Sequence, residues 1–177
     1  MSGIELFSER DFKGDSVSLD ADTADLRLAG FDNYTKSMRI TGDPWVVFAE
    51  VSYKGEFKAY KEGDYASIPS FENKISSVRV VKGGLSDPEI TVYEHVNYGG
   101  RAVTLKKNAE DLRTYGFDKM ISSHKVSRGG WILYENTHYQ GNKMLALAGD
   151  QVPNYVPLGW NDKVSSIKLI SALAANE

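Results

Sequence analysis

A ten-residue motif that recurs four times constrains this chain more than any other feature. Each copy opens with an aromatic residue, has Asn, Asp or Lys at its third position and serine at its seventh, and ends in an apolar run. The seventh-position serines are separated by 40, 46 and 43 residues. Such a period indicates a repeat architecture, in which neighbouring units share a core. The copies are Phe31–Ile40, Phe71–Val80, Phe117–Val126 and Trp160–Leu169.

A second motif precedes each copy and reads aromatic, four residues, aromatic, one residue, glycine. A short β-rich run leads into it, and apolar residues two apart follow it in three copies, which is a strand signal. The repeated glycine predicts a backbone position with positive φ at the tip of a folded hairpin. The four copies are Phe7-Phe12-Gly14, Phe48-Tyr53-Gly55, Tyr93-Tyr98-Gly100 and Tyr134-Tyr139-Gly141.

One unit is therefore predicted to be a strand, a hairpin, a second strand, a connection and the serine-containing strand, which is the pattern of a Greek key. Helix is limited to single turns at Ala24–Arg27 and Ala109–Arg113. The three tryptophans, Trp45, Trp131 and Trp160, are interpreted as core residues rather than as a sugar-binding platform. The sequence predicts an all-β fold.

The order of the units predicts two domains. The first and third units open with Ile4 and Ile90, whereas the second and fourth open with Trp45 and Trp131, so the order is ABAB. A single Greek key cannot cover its own apolar face, so one AB pair should form one sandwich of two sheets. The predicted boundaries are a first domain over 1–82, a Gly/Pro/Ser-containing linker over 83–88, a second domain over 89–171 and an unpatterned, mobile tail over 172–177.

Composition excludes several other classes of protein. A net charge of −3 and a pI near 5.7 argue against a nucleic-acid partner. No apolar run approaches the roughly 18 residues of a membrane span, so no transmembrane segment is expected. The absence of a signal-like N-terminus and of cysteine predicts a cytoplasmic protein. No recognisable catalytic motif is present, so the protein is predicted not to be an enzyme.

Taken together, the two motifs resemble those of the βγ-crystallin superfamily, over essentially residues 4–170. The stretch Leu85–Gly100 is most similar to the non-lens, epidermis differentiation-specific branch. The resemblance implies two βγ-crystallin-like Greek-key sandwich domains joined by a short linker. It also implies a non-enzymatic protein and, as in many members, Ca²⁺ as the bound ion.

The resemblance implies one set of calcium ligands in each domain, assigned by matching motif positions. Each set combines a sixth-position serine hydroxyl, the carbonyl two residues before it, the third-position side chain of the partner motif, and the carbonyl just after the first corner aromatic. These are the hard oxygen ligands that Ca²⁺ prefers. In that order the sets are Ser76, Lys74, Asn33 and Ala49 in the first domain, and Ser122, Met120, Asp162 and Glu94 in the second.

The two reciprocal sites are expected to be lost. Lys36 stands where the first domain needs a hydroxyl, and Lys119 stands where the second needs Asn or Asp; an ammonium supplies no lone pair. We therefore expect one working site per domain, with an affinity of about 10⁻⁶ to 10⁻⁴ M. The alternative is that these residues only cap turns. For the seventh-position serines we favour a structural role, in which they hold the loop to the backbone.

Two functions remain open at this point. In the first, the protein is a stable calcium-binding protein with a structural or calcium-buffering role. In the second, it is an interaction module that assembles with a partner protein in a membrane-active complex, as a homodimer or with another chain. The second rests on analogy of fold alone.

Overall fold

The computed structural model of the protein describes residues 2–175, and these form short strands joined by single turns. The strands are β1 (Gly3–Glu9), β2 (Lys13–Leu19), β3 (Ser37–Thr41), β4 (Trp45–Glu50), β5 (Lys54–Tyr60), β6 (Gly63–Tyr65), β7 (Ser77–Val80), β8 (Glu89–His95), β9 (Gly99–Leu105), β10 (Ser123–Arg128), β11 (Gly130–Asn136), β12 (Gln140–Leu147), β13 (Gln151–Val152), β14 (Ser166–Leu169) and β15 (Ala172–Leu173).

The helical segments are 3-10 turns of three or four residues. They are Arg10–Phe12, Leu26–Ala29, Val51–Tyr53, Val96–Tyr98, Leu112–Tyr115, Thr137–Tyr139 and Val156–Leu158. Within residues 2–175, then, no helix is long enough to cross a membrane. The prediction of an all-β chain with only isolated helical turns is confirmed.

The chain divides into two compact units, one running to Val81 and including the residues from Ser171 onward, the other spanning Lys82–Ile170. The first unit contains a sheet of order β2-β1-β3-β6 and a sheet of order β15-β5-β4-β7. The second contains a sheet of order β13-β10-β8-β9 and a sheet of order β12-β11-β14. The pairings are antiparallel except for β15 with β5. The predicted fold of two Greek-key domains is confirmed.

The two Greek keys of each unit exchange backbone. Strand β6 follows the second hairpin in sequence but pairs with β3 of the first key, and β13 likewise pairs with β10. In return, Thr23 bridges Val78 and Ala109 bridges Ile167. The sequence predicted these segments only as connections, with a helical turn at Ala109–Arg113, and gave no sign of the pairing. The exchange matters for function because it brings the loops of paired keys together.

Each unit has its own core, built from the inward-facing residues of both sheets. Trp45 and Trp131 are fully buried there, and Trp160 packs against the second core. Their interpretation as core residues is confirmed. Burial of this apolar surface is the main contribution to the stability of each unit.

The hairpin corners follow the second motif. In the first corner, Asp11 and Phe12 have φ of 58° and 61°, and the ring of Phe12 packs edge-on against Phe7 at 5.7 Å between centroids. Gly14 has a φ of 80°, and a Cβ there would lie 2.3 Å from Ser8 Oγ. The predicted requirement for glycine is confirmed, because both the backbone angle and the space exclude a side chain.

The C-terminal segment differs from the prediction. Ala172 pairs with Ala59 and Leu173 with Tyr60, so β15 extends a sheet of the first unit. The carbonyl of Leu173 accepts hydrogen bonds from Lys61 N at 2.7 Å and from the Tyr65 hydroxyl at 2.9 Å. The expectation of an unpatterned, mobile tail is wrong for residues 172–175, while 176–177 lie outside the described residues. Backbone pairing needs no side-chain pattern, so a two-residue strand gives no sequence signal.

Candidate metal centres

The seventh-position serines hold each loop to its hairpin. Ser77 Oγ donates to Glu50 O at 2.6 Å and accepts from Tyr53 N at 3.1 Å. The other three copies repeat both bonds, with Ser37 on Glu9 O and Phe12 N, Ser123 on His95 O and Tyr98 N, and Ser166 on Asn136 O and Tyr139 N. The structural role predicted for these serines is confirmed. One donated and one accepted bond fix the orientation of each hydroxyl towards its own hairpin.

Paired loops are cross-linked by backbone hydrogen bonds at the third motif position. Asn33 N donates to Ile75 O at 3.0 Å, and Asn73 N donates to Thr35 O at 2.8 Å. In the second unit Lys119 N donates to Val164 O at 2.9 Å, and Asp162 N donates to Ile121 O at 3.1 Å. All four donors have left-handed backbone, with φ from 53° to 59°. Among residues other than glycine, Asn and Asp tolerate that conformation best, which explains their recurrence at this position.

In the first unit, the structure brings the expected ligand residues together. Ser76 N donates to Phe48 O at 2.8 Å, which places Ser76 next to Ala49. Ser76 Oγ donates to Asn33 Oδ1 at 3.0 Å across the paired loops. Lys74 lies in the same loop as Ser76, two residues before it, and its ammonium is 3.9 Å from Glu56 Oε1. Two polar side chains from separate keys thus meet at this position.

In the second unit, the expected residues line one pocket. Glu94, Met120, Ser122 and Asp162 all border it. Ser122 N donates to Tyr93 O at 2.9 Å, the counterpart of the bond that positions Ser76. Asp162 contributes a carboxylate, and Asn161 Nδ2 donates to Asp162 Oδ2 at 3.3 Å. This set is hard oxygen throughout, which fits Ca²⁺ and does not fit a soft transition metal.

The charge at the two sets is low. Within residues 2–175, no group of three or more His, Cys, Asp or Glu side chains is placed to hold a metal ion. The Glu94 carboxylate faces basic side chains, with Oε2 3.6 Å from Arg101 Nη2 and Oε1 3.6 Å from His95 Nε2. Any ion would therefore be held mainly by carbonyl, hydroxyl and amide oxygens, with one carboxylate in the second unit.

The two reciprocal positions differ from each other. Lys36 N donates to Phe7 O at 2.8 Å, so the backbone there keeps the common geometry while the hydroxyl is missing. In the second unit the Lys119 ammonium donates to Glu135 O at 3.1 Å. Glu135 follows the first corner aromatic of its hairpin, as Glu94 does in the other. Sequence reasoning identified Lys119 as a disabled ligand but not the contact that it makes.

Comparison with known proteins shows to which family the chain belongs. The family model described as Beta/Gamma crystallin matches residues 3–81 and 89–170. The chain belongs to this family. Each matched segment covers two Greek keys with one candidate ligand set, so both domains carry the crystallin repeat. The resemblance on which the ligand residues were chosen is thereby confirmed, while the ligand roles themselves remain predictions.

Individual relatives show how far the similarity extends. The crystallin chain is 36% identical over 167 residues to "Epidermal differentiation-specific protein" of Cynops pyrrhogaster, covering 94% of this chain and 49% of the relative's length. Geodin, a beta-gamma crystallin from Geodia cydonium, is 22% identical over 95% of this chain and 98% of its own, with a TM-score of 0.40. Protein S complexed with calcium is 19% identical over 96% of this chain and 99% of its own, with a TM-score of 0.41.

Proposed function

We propose that this crystallin binds two calcium ions, one per domain, and that it serves as a non-enzymatic structural or calcium-buffering protein. The observation that supports this most directly is the pocket shared by Glu94, Met120, Ser122 and Asp162. These four residues come from the end of β8 and from two separate loops, and they were chosen from the family pattern alone. In the proposed site these residues would contribute a hydroxyl, a carboxylate and two carbonyls.

The second-domain site should bind more tightly than the first. Its third-position ligand is the Asp162 carboxylate, whereas the first domain offers the neutral amide of Asn33. The affinity of calcium sites rises with the number of charged ligands and with rigidity. In the first domain, calcium must also compete with the hydrogen bond from Ser76 Oγ to Asn33 Oδ1. Both affinities should lie in the range of about 10⁻⁶ to 10⁻⁴ M.

Titration calorimetry with CaCl₂ on the decalcified chain tests the proposal. The parent should bind two ions, and Ser76→Arg and Ser122→Arg should each bind one, because an arginine fills the ligand position with a cation. The matched control is Ser165→Arg, which introduces the same side chain at the equivalent buried position of a loop predicted not to bind calcium. Circular dichroism confirms that each variant is folded. Absence of calcium heat in the parent would falsify the proposal.

The proposed role is that of a stable non-lens crystallin. The similarity to a relative named for epidermal differentiation supports a role outside the lens. The lack of cysteine supports a cytoplasmic location, because structural disulfides rarely form in that reducing compartment. Calcium would then contribute to function by joining the paired loops of each domain, since an ion that binds only the folded state stabilises it.

A further inference from the structure

A second pocket in the Lys82–Ile170 unit lies where repeat symmetry places a fourth calcium site. It is lined by Arg113, Asp118, Lys119, Asn136, Thr137 and Ser165. Ser165 N donates to Tyr134 O at 2.8 Å, as Ser122 N does to Tyr93 O in the neighbouring key. The hydroxyl of Ser165 and the carbonyl of Glu135 therefore have the positions that Ser122 and Glu94 have at the proposed site.

The positive charge in this pocket comes from a side chain of the protein, the ammonium of Lys119. Lys119 Nζ donates to Glu135 O at 3.1 Å, and that carbonyl is the counterpart of the Glu94 carbonyl. Lys119 also has a left-handed backbone, with a φ of 54° that is unfavourable for lysine. Arg113, the other cation at this pocket, is held by Asp111 with Nη2 2.7 Å from Oδ2. The hydrogen bond that Lys119 makes therefore accounts for lysine at this position, whereas the backbone conformation does not.

The buried hydroxyl of Ser165 lacks the hydrogen bond that its counterpart in the first unit makes. Ser165 is 1% exposed, and its Oγ has no hydrogen-bond partner among residues 2–175. In the first unit the equivalent hydroxyl, Ser76 Oγ, donates to Asn33 Oδ1. Lys119 replaces that asparagine and has no acceptor, so the Ser165 hydroxyl is left unpaired. Asp118 Oδ1, at the same pocket, is also buried without a partner in the described part of the chain.

We propose that the Lys119 ammonium is a tethered cation that stands in for calcium at the fourth candidate site, beside Ser165 and Glu135. Its hydrogen bond to the Glu135 carbonyl joins the Lys119 loop to β11 without a metal, so this part of the second domain is stabilised independently of calcium. The ligand positions are kept, so removal of the lysine charge together with addition of an oxygen ligand opens a calcium site. The inference rests on the same ligand geometry as the proposed function. It does not require that the parent protein itself binds calcium.

Calcium titration of Lys119→Asp and Lys119→Asn tests the latent site. Both replacements suit the left-handed backbone and provide an oxygen, and the asparagine variant does so without adding charge beside Asp118. We expect each to bind one ion more than the parent, whatever number the parent binds. If the parent binds none and the variants bind one, the proposed function fails and this inference stands. An unchanged stoichiometry in both variants overturns it.

Thermal unfolding of the decalcified protein in EDTA tests the tethered cation itself. Lys119→Met removes the ammonium but keeps a side chain of similar length and backbone preference. We expect its melting temperature to fall by about 3 °C, less than for a buried charge-assisted hydrogen bond, because the bond from Lys119 to Glu135 O is exposed to solvent. Lys36→Met is the matched control, since Lys36 makes no such bond within residues 2–175, and should shift melting by less than about 2 °C. Equal shifts in the two variants overturn the inference.

Discussion

Acid should destabilise the second domain through one buried histidine. His124 lies on β10 and is 1% exposed, and its Nδ1 is hydrogen-bonded to the hydroxyl of the fully buried Tyr155. Its Nε2 has no hydrogen-bond partner among residues 2–175. Burial lowers the pKa of His124 from 6.5 to about 4, and the negative charge of Asp150 acts in the opposite direction. A protonated imidazole would place a charge and an unpaired N–H in the core.

The pKa difference sets both the direction and the size of the effect. Between pH 6.5 and about 4 the unfolded chain binds a proton at His124 that the folded chain does not, so falling pH favours unfolding. The stability is fully present above pH 6.5 and is lost as the pH falls towards the folded-state pKa. At 1.36 kcal/mol per tenfold change in proton affinity, the loss between pH 7.5 and pH 4.5 is about 2.5 kcal/mol.

Urea unfolding at pH 7.5 and pH 4.5 measures this loss. The lower limit avoids the carboxylates of Asp25 and Asp111, whose pKa values are lowered by the hydrogen bonds from Arg27 and Arg113 and whose contribution is lost only below 3.8. The control is His124→Phe with Tyr155→Phe, which removes both polar partners and leaves room for the larger ring. The double variant should be insensitive over this range. A double variant that loses as much stability as the parent would refute the reasoning.

Three further predictions concern the ligands, the serine staples and the C-terminal strand. Asp162→Asn should weaken calcium binding in the second domain about tenfold, and Asn33→Asp should strengthen it in the first by a similar factor, both measured by calorimetry. Ser77→Ala should lower the free energy of unfolding in urea by about 1–3 kcal/mol because it leaves buried backbone groups unpaired, whereas Ser67→Ala, at an exposed position, should change it by less than about 0.5 kcal/mol. Deletion of residues 171–177 should lower the melting temperature of the first unit by several degrees, and deletion of 176–177 alone should not; equal effects would contradict the role of β15.

The candidate metal centres were only partly accessible to sequence reasoning. The motif positions of Ser122 and Asp162 identified them as a pair 40 residues apart, because the repeat defines equivalent positions without any knowledge of distance. The structure shows that they border one pocket. It also shows what the motif could not, that the Lys119 ammonium reaches Glu135 O. The reach of a long side chain depends on where another hairpin has folded.

What the sequence determined by itself is what repeats or depends on local backbone chemistry. Four copies of two motifs specified the Greek keys and their ABAB order, and glycine at Gly14 and its equivalents specified the folded hairpins, because only glycine fits that angle and space. Tertiary structure alone decided which strands changed partners. Strands β6, β13 and β15 are two or three residues long and pair through backbone groups that every residue carries, so nothing in their side chains encodes the partner. The same holds for His124, whose pKa depends on the core that surrounds it after folding.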